Sequence, residues 1–243
     1  MEKAVTVKTL ERTVEKKAAD AGADIALINA YSLKELAPEE VFVFALTLCD
    51  NQIDRDSERF DDECLAEFAP LFEGKTGIFN HQWDARGQVA RIYSAEVESD
   101  DSVTRLRARA YIARGVGADD VIAKIEAGIL KEVSVGFSIG RTECSICGKD
   151  VWREDCPHYP GREYEGELCV GILKEARDAY EFSFVAVPAQ REAGVTKKLR
   201  EKEAMEKAEA QEQQEPEQQE AGKTINAAQK MTAALQNYIG GQK

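Results

Sequence analysis

Four potential metal ligands crowd into one short stretch of the sequence. Cys144 and Cys147 are separated by two residues and followed by a glycine, the spacing of a zinc knuckle, in which the glycine lets the chain turn under the metal. Cys156 and His158 add a third thiolate and an imidazole, and three sulfurs with one nitrogen satisfy the tetrahedral preference of zinc. The sequence therefore predicts a zinc ion held by these four side chains.

The expected role of this zinc is structural. Four protein ligands leave no position for the water that a catalytic zinc needs, and a polar loop without a core of its own gains stability from a metal. Because the gap between Cys156 and His158 is tight, Cys169 is an alternative fourth ligand. Residues 142–171 are accordingly expected to form a zinc-binding insert, and free thiols in a loop are the other interpretation.

Three further residues have the chemistry of acyl transfer. His81 is one of two histidines in the chain, and Ser134 lies on the polar face of an alternating segment. Gly136, two residues further on that face, is expected to leave room above the strand for another backbone to approach. Glu181 is the one charge in a strongly apolar segment, where a carboxylate needs a partner such as an imidazole. A serine, a histidine and a carboxylate together form a unit of nucleophilic catalysis.

Each of these residues also has an ordinary interpretation. A lone histidine is most often hydrogen-bonded to backbone, a serine on a polar strand face can be a plain surface residue, and a glutamate can lie at a strand edge. The nucleophile elbow of α/β-hydrolases is excluded, because Glu132 and not glycine stands two residues before Ser134. The catalytic hypothesis depends on the three residues in combination.

The elements that must position these residues are mostly strands. Val41 to Leu48 is apolar on both faces and is expected to be a central strand. Thr104 to Ala113 alternates with Leu106, Ala108, Ala110 and Ile112 inward, and Glu132 to Gly140 alternates with Val133, Val135, Phe137 and Ile139 on one face. The predicted strands cover 41–48, 77–83, 87–97, 104–113, 132–140 and 180–187, and the predicted helices cover 62–72 and 117–130. This order shows no regular βαβ alternation and indicates a β-rich domain.

Composition limits the classes of function. The chain has 243 residues and a formal net charge of −13, which argues against broad binding to nucleic acid because phosphate recognition needs a basic surface. The beginning of the sequence lacks the apolar run of a signal peptide. The longest apolar run, Val41 to Leu48, is far short of the roughly 20 residues that span a bilayer. We expect a soluble protein without nucleic-acid or membrane partners that stays where it is made.

Changes in composition predict three regions. Residues 1–37 are polar, look helical and lack a convincing core face, so we expect a helical N-terminal extension. Residues 38–196 form the main domain. Residues 197–243 are expected to be a charged, low-complexity tail, because Glu, Gln, Lys and Ala dominate 197–223 and cannot bury a core. A thin apolar stripe in 224–239 predicts a short C-terminal helix that can dock on a partner.

Four segments between about Val41 and Val195 resemble, in their order and spacing, the prohead (procapsid maturation) protease family of tailed bacteriophages. That family is distantly related in fold to the herpesvirus assembly proteases. The segments are Asp54-Arg-Asp-Ser, His81 with Gly87 shortly after it, Gly128-Ile-Leu-Lys-Glu-Val-Ser-Val-Gly-Phe, and Tyr180-Glu-Phe-Ser-Phe-Val-Ala-Val-Pro-Ala-Gln. The cysteine-rich insert looks like one that a subset of the phage proteins carries.

The resemblance implies a serine endopeptidase, with Ser134 as nucleophile and His81 as general base. The third member of the triad varies in the wider group, and Glu181 is the best match here, with Asp178 as the alternative. The implied fold is α+β, mainly β: a closed or nearly closed antiparallel β-barrel of the herpesvirus-protease type, flanked by helices. The zinc-binding loop is expected between the strands that carry Ser134 and Glu181.

The resemblance also implies the substrates and the place of action. These are the scaffold and the N-terminal segment of the major capsid protein, cut inside the assembling prohead in the host cytoplasm, and the enzyme's own tail after Thr196. A homodimer is a candidate oligomeric state. Two other hypotheses stay open, an inactive scaffolding or capsid-assembly protein that keeps the protease fold and an unrelated zinc-ribbon adaptor. The pair of His81 and Ser134 favours the enzyme over both.

Overall fold

The computed structural model describes residues 24–100, 103–115 and 117–196, which belong to a compact unit that ends at Thr196. The predicted tail, residues 197–243, and residues 1–23 of the predicted N-terminal extension lie outside the described residues. The strands are β1 (Val41–Asp50), β2 (Glu58–Phe60), β3 (Thr76–Phe79), β4 (Ala90–Asp100), β5 (Val103–Ala113), β6 (Val133–Cys144), β7 (Glu163–Tyr164), β8 (Glu167–Leu168), β9 (Gly171–Phe184) and β10 (Gly194–Thr196). The helices are α1 (Asp62–Phe72) and α2 (Asp119–Glu126), and residues 24–29 are also helical. The fold is mainly β, as the alternation predicted.

One mixed sheet contains all of these strands except the small hairpin of β7 and β8. Its order is β10-β1-β5-β4-β3-β9-β2, and β6 pairs with β9. β9 is long enough to pair with three strands: β6 runs antiparallel along one edge, while β2 and β3 run parallel to the two ends of the other edge. β1 lies between β10 and β5, which confirms the predicted central strand.

The sheet departs from the expected antiparallel barrel. The β3–β9 and β2–β9 pairs are parallel, and the described strands do not form a closed barrel. Parallel pairing is accessible here because the chain passes through β4, β5, α2 and β6 before it returns as β9, a connection far longer than a hairpin. The start of β6 meets β10 at an isolated bridge between Glu132, the residue before β6, and Gly194. Backbone hydrogen bonds from Val195 N to Lys131 O (2.7 Å) and from Val133 N to Ala193 O (3.3 Å) flank this bridge.

The main core lies between the apolar face of the sheet and the two helices α1 and α2. The inward residues predicted for β5 are all buried, and the apolar face predicted for β6 packs on the same core. α1 buries Cys64, Leu65, Phe68 and Phe72, the helical spacing expected for a helix that covers a sheet. The patterns at these three elements are therefore confirmed.

Residues 24–37 are part of the packed unit, although the sequence gives them no convincing core face. Ile28 is fully buried and contacts Val41, Tyr93 and Tyr111 in a second, smaller cluster. Tyr111 alternates with the inward residues of β5, so this cluster lies on the opposite face of the sheet from the main core.

Among the described residues, no helix is long and apolar enough to cross a membrane.

The buried position of Ile28 generates a stability prediction. Ile28→Ala removes side-chain volume from a site that is 0% exposed, and we expect it to lower the free energy of unfolding by about 2–4 kcal/mol in urea denaturation. Leu27→Ala is the matched control, because Leu27 is 49% exposed and its truncation should change stability by less than about 0.5 kcal/mol. Equal effects of the two substitutions would show that the segment does not pack as described.

Candidate functional site

The β6–β9 ladder brings two of the three predicted catalytic residues onto one face. Ser134 lies directly opposite Ser183, and Gly136 lies opposite Glu181. Directly opposed residues of an antiparallel pair point to the same face, so all four share one face of the sheet. The insert connects these two strands, as expected, and leaves the ladder at Cys144 and rejoins it at Gly171.

His81 reaches the same face from β3, the neighbour of β9 on its other edge. Its Nδ1 lies 2.8 Å from Glu181 Oε1. Because a carboxylate only accepts hydrogen bonds, Nδ1 must carry the proton, and the lone pair of a neutral ring is then on Nε2. The imidazole is 41% exposed and the carboxylate 3%, so a buried carboxylate orients an imidazole that remains partly open to solvent.

Asp178, the alternative third member, does not take this place. Its carboxylate forms an ion pair with Lys75 at 3.4 Å and is half exposed. Its register partner on β6 is Ser138, further along the strand than Gly136. The structure thus brings His81 to Glu181 and not to Asp178.

An unusual backbone turn directs the His81 ring back over β9. Asn80 and His81 follow β3 and both have left-handed backbone conformations, with φ of 50° and 54°. Such conformations are strained in residues other than glycine and persist where the surroundings hold them. Here Asn80 N donates to Phe184 O at 3.1 Å, and His81 N donates to Ser183 Oγ at 2.9 Å.

Ser183 is a member of the site that the sequence analysis missed. Its hydroxyl donates to Glu181 Oε2 at 2.7 Å and accepts from His81 N. With His81 on the other oxygen, both oxygens of the buried Glu181 carboxylate have partners, which a charge withdrawn from water requires. The available signal was position: Ser183 is two residues from Glu181 in a strand and must share its face.

The hydroxyl of Ser134 makes no hydrogen bond to His81 or to any other residue in the described part of the chain. It lies next to Gly136, above which the Glu181 carboxylate is held, and across from Ser183. Nucleophile and base are often further apart in the absence of substrate than in the reacting complex. The arrangement therefore offers a free hydroxyl on the same face as an oriented imidazole.

Gly136 has a different role from the one expected. The sequence suggested that it admits another backbone, but a Cβ at this position would collide with Glu181 Oε1 and lie 3.2 Å from the carboxylate carbon. The absent side chain is the space that the Glu181 carboxylate occupies. A β-bulge follows at once, because Tyr180 is an extra residue between the partners of Gly136 and Phe137.

An open cavity of about 660 Å³ begins beside Glu181. Trp83 and Tyr180 stand on its wall, with their ring centroids 5.5 Å apart in an edge-on contact, and both are exposed. Thr76, the first residue of β3, and Lys75, the residue before it, also line the cavity. The cavity gives the candidate site an aromatic wall on the β3 side.

The predicted metal ligands converge in the insert. One donor atom from each of Cys144, Cys147, Cys156 and His158 lies within 4.8 Å of the other three. Cys147 Sγ is 3.6 Å from Cys156 Sγ, and Cys144 Sγ is 3.6 Å from His158 Nδ1. Two thiolates around a tetrahedral zinc are roughly 3.8 Å apart for a Zn–S bond of about 2.3 Å. The four side chains could therefore hold a metal ion, and their donor set and spacing fit zinc.

Cys169 lies beside this cluster and does not belong to the mutually close set. Its sulfur is 3.7 Å from Cys144 Sγ, and burial together with this contact raises the pKa of the Cys169 thiol to about 12. Burial also raises the pKa of Cys144, but the N–H groups of Cys147 and Ile146 offset this and leave the pKa below its ordinary value. Geometry favours His158 over Cys169 as the fourth ligand.

The chain turns under the cluster as a knuckle does. Gly148 has φ of 70°, a conformation that side chains disfavour, and its N–H donates to Cys144 O at 2.9 Å. Cys144, Val151 and Cys169 form a small core of the insert, separate from the main core. This small core, local backbone hydrogen bonds and the contacts among the candidate metal ligands together order the insert.

The collision at Gly136 supplies a test of the His81–Glu181 arrangement. Gly136→Ala should displace the Glu181 carboxylate and lower the free energy of unfolding by about 1–3 kcal/mol, because a buried charge loses its hydrogen bonds. Gly87→Ala is the control, since the nearest atom to a Cβ there is 4.0 Å away and its φ is not left-handed. Chemical denaturation of both variants gives the measurement, and a neutral Gly136→Ala would contradict the described position of the carboxylate.

Comparisons with known proteins give this chain no relatives. No protein-family model matches the sequence, and neither the curated proteins nor the solved structures contain a significant match.

Proposed function

We propose that the protein is a serine endopeptidase with Ser134 as nucleophile, His81 as general base and Glu181 as the residue that orients the base. The observation that carries this proposal is the 2.8 Å contact between His81 Nδ1 and Glu181 Oε1 on the sheet face that also carries Ser134. It supports the proposal because it fixes the proton on Nδ1 and leaves Nε2 as the base.

The proposed reaction is acyl transfer in two halves. His81 Nε2 takes the proton of the Ser134 hydroxyl as the oxygen attacks the carbonyl carbon of a scissile amide, and then gives that proton to the leaving amine. In the second half, His81 Nε2 takes a proton from a water molecule as that water attacks the acyl ester of Ser134. The proton then returns to the Ser134 oxygen, and the carboxylic acid product is released. When the imidazole becomes cationic, the buried carboxylate of Glu181 stabilises it at short range, where water screens little.

An extended peptide is the substrate that the surroundings suit. Within the described residues, β6 is paired along one edge by β9. Its other edge has no backbone partner between Val133, whose N–H donates to Ala193 O, and Thr142, whose carbonyl accepts from Val151 N. A free strand edge binds an extended peptide through backbone hydrogen bonds, and pockets beside it select side chains. The cavity walled by Trp83 and Tyr180 lies on the far side of Glu181 and would receive a side chain near the scissile bond.

The biological role that we propose is maturation of a phage prohead. It rests on the resemblance of four segments to the prohead proteases, and the substrates would be the scaffold, the N-terminal segment of the capsid protein and the enzyme itself. The strand order β10-β1-β5-β4-β3-β9-β6, with the Glu132–Gly194 bridge between its ends, supports a nearly closed barrel of the herpesvirus-protease type. An inactive assembly protein with the same fold is the second candidate.

We further propose that the metal of the insert is zinc and that its role is structural. Three thiolates and an imidazole are a common structural zinc set, and four protein ligands fill the tetrahedron. When bound, the ion would supply cross-links between the end of β6 and the loop, and no chemistry in the proposed reaction.

The catalytic proposal predicts the effects of single substitutions in co-expression with the capsid protein. Ser134→Ala and His81→Ala should each abolish cleavage, because members of one catalytic unit fail together. Ser138→Ala is the matched control: it removes a hydroxyl from the same strand face, further from His81, and should cleave like the wild type. Loss of cleavage is scored by gel and mass spectrometry, with folding checked by circular dichroism.

Two outcomes would contradict the proposal. Wild-type cleavage by Ser134→Ala would exclude this serine as the nucleophile. Absence of cleavage by the wild-type protein, under conditions in which the capsid protein assembles, would favour the inactive assembly protein instead.

The metal proposal predicts which thiols a chelator exposes. The purified protein should contain about one zinc per chain, and chelation should make the insert cysteines reactive toward alkylation because the metal no longer holds them. Cys49 and Cys64 should stay protected until global unfolding, since both are buried in the main core and burial raises the pKa of each thiol. Mass spectrometry of alkylated protein counts both classes, and simultaneous exposure of all six cysteines would contradict a locally ordered insert.

A further inference from the structure

The hydroxyl of Ser183 joins two parts of the site, Glu181 and His81, that are 100 residues apart in the sequence. It lies 2.7 Å from Glu181 Oε2 and 2.9 Å from the backbone nitrogen of His81. A hydroxyl has one proton to donate and lone pairs to accept with. Since the carboxylate only accepts and the backbone N–H only donates, the direction of both hydrogen bonds is fixed.

Burial makes this hydroxyl hard to replace. Ser183 is 0% exposed, and the carboxylate that it contacts is almost as deeply buried. Removing one oxygen atom leaves a space smaller than a water molecule, so solvent does not restore the two hydrogen bonds. Glu181 would keep a buried oxygen without a donor, and the left-handed backbone at His81 would lose the acceptor of its N–H.

Ser183 and Ser134 face each other across the ladder, but their environments assign them different roles. Ser183 has both of its hydrogen bonds inside the protein and no access to solvent. Ser134 is only partly buried, and its hydroxyl makes no hydrogen bond among the described residues. Ser183 is thus unsuited to be a nucleophile and suited to hold other groups in place.

We propose that Ser183 is a positioning residue that makes Glu181 and His81 a single rigid unit. By holding Oε2, it leaves Oε1 directed at His81 Nδ1, and by accepting from the His81 N–H it fixes the turn that carries the ring. As far as this concerns cleavage, it rests on the proposed protease function. The hydrogen-bonded unit itself exists whether or not the protein cleaves peptides.

Histidine NMR tests the unit without an activity assay. The chain has two histidines, so a protein labelled with ¹⁵N in the imidazole gives two sets of signals, and His158→Asn or metal loading distinguishes them. In the wild type, His81 Nδ1–H should give a downfield, slowly exchanging proton signal, as expected for a hydrogen bond to a carboxylate. Ser183→Ala should abolish this signal, as Glu181→Gln should.

Ser134→Ala is the matched control, because it removes the hydroxyl directly opposite Ser183 on the same face. It should leave the Nδ1–H signal of His81 unchanged while it abolishes cleavage. Ser183→Ala should lower kcat by about tenfold or more with little change in KM, since it disturbs the base and not peptide binding. In the Glu181→Gln background, Ser183→Ala should add little further loss, because both act through the same carboxylate.

Some results would overturn the proposal. A folded Ser183→Ala protein that keeps the His81 signal, or one that loses kcat independently of Glu181, would show that Ser183 does not position this unit. If Ser183→Ala does not fold, Ser183→Cys keeps the volume and a weak donor and should show a weakened signal, while an unchanged signal would again contradict the proposal. If the wild type cleaves nothing, the protease function fails and the NMR result still decides the role of Ser183.

Discussion

The buried carboxylate of Glu181 is the constraint on which the rest of the site depends. A charge with 3% exposure is tolerated only when both oxygens accept hydrogen bonds, and His81 and Ser183 supply them. Meeting this requirement needs the left-handed turn after β3, which brings the imidazole over β9, and a glycine at position 136, which leaves room for the carboxylate. Three sequence segments, the turn after β3, β6 and β9, are thus constrained by one desolvated group.

The same ladder carries the candidate metal cluster at its other end, and distance separates the two sites. Ser134 is the second residue of β6 and Cys144 the last, a separation of roughly 33 Å along a strand. Since salt ions screen the interaction between charges over about 8 Å at physiological ionic strength, a metal bound there would have little direct electrostatic effect on Glu181. Its contribution would be mechanical, as a cross-link that closes the long excursion from β6 to β9. Because of this separation, the proposed structural metal and the proposed reaction at Ser134 would be independent of each other within one domain.

Local sequence patterns predicted which face of each strand and helix is buried. The pairing and register of strands distant in sequence could not be predicted from such patterns. The alternation in β5 and β6 and the spacing in α1 follow from burial of one face, so they could be read from the sequence. Glu181 was found because one charge in an apolar strand needs a partner. The first half of β9 was missed because its charged residues resemble a loop, and it is a strand because β6 pairs with it. Ser183 was missed, and Gly136 misassigned, because both roles depend on the register of β6 against β9.

Burial at the site is divided in a way that suits a general base. The imidazole of His81 is partly exposed while the carboxylate of Glu181 is buried, so a substrate of the proposed reaction could approach the ring without loosening the hydrogen bond at Nδ1. Left-handed conformations at Asn80 and His81 cost about 1–3 kcal/mol each, and hydrogen bonds to Phe184 O and Ser183 Oγ offset this strain. An unstrained continuation of β3 would carry the chain on beside β9, away from the carboxylate. The strain is therefore what places the ring, and the main core below β9 gives the strand the rigidity to sustain it.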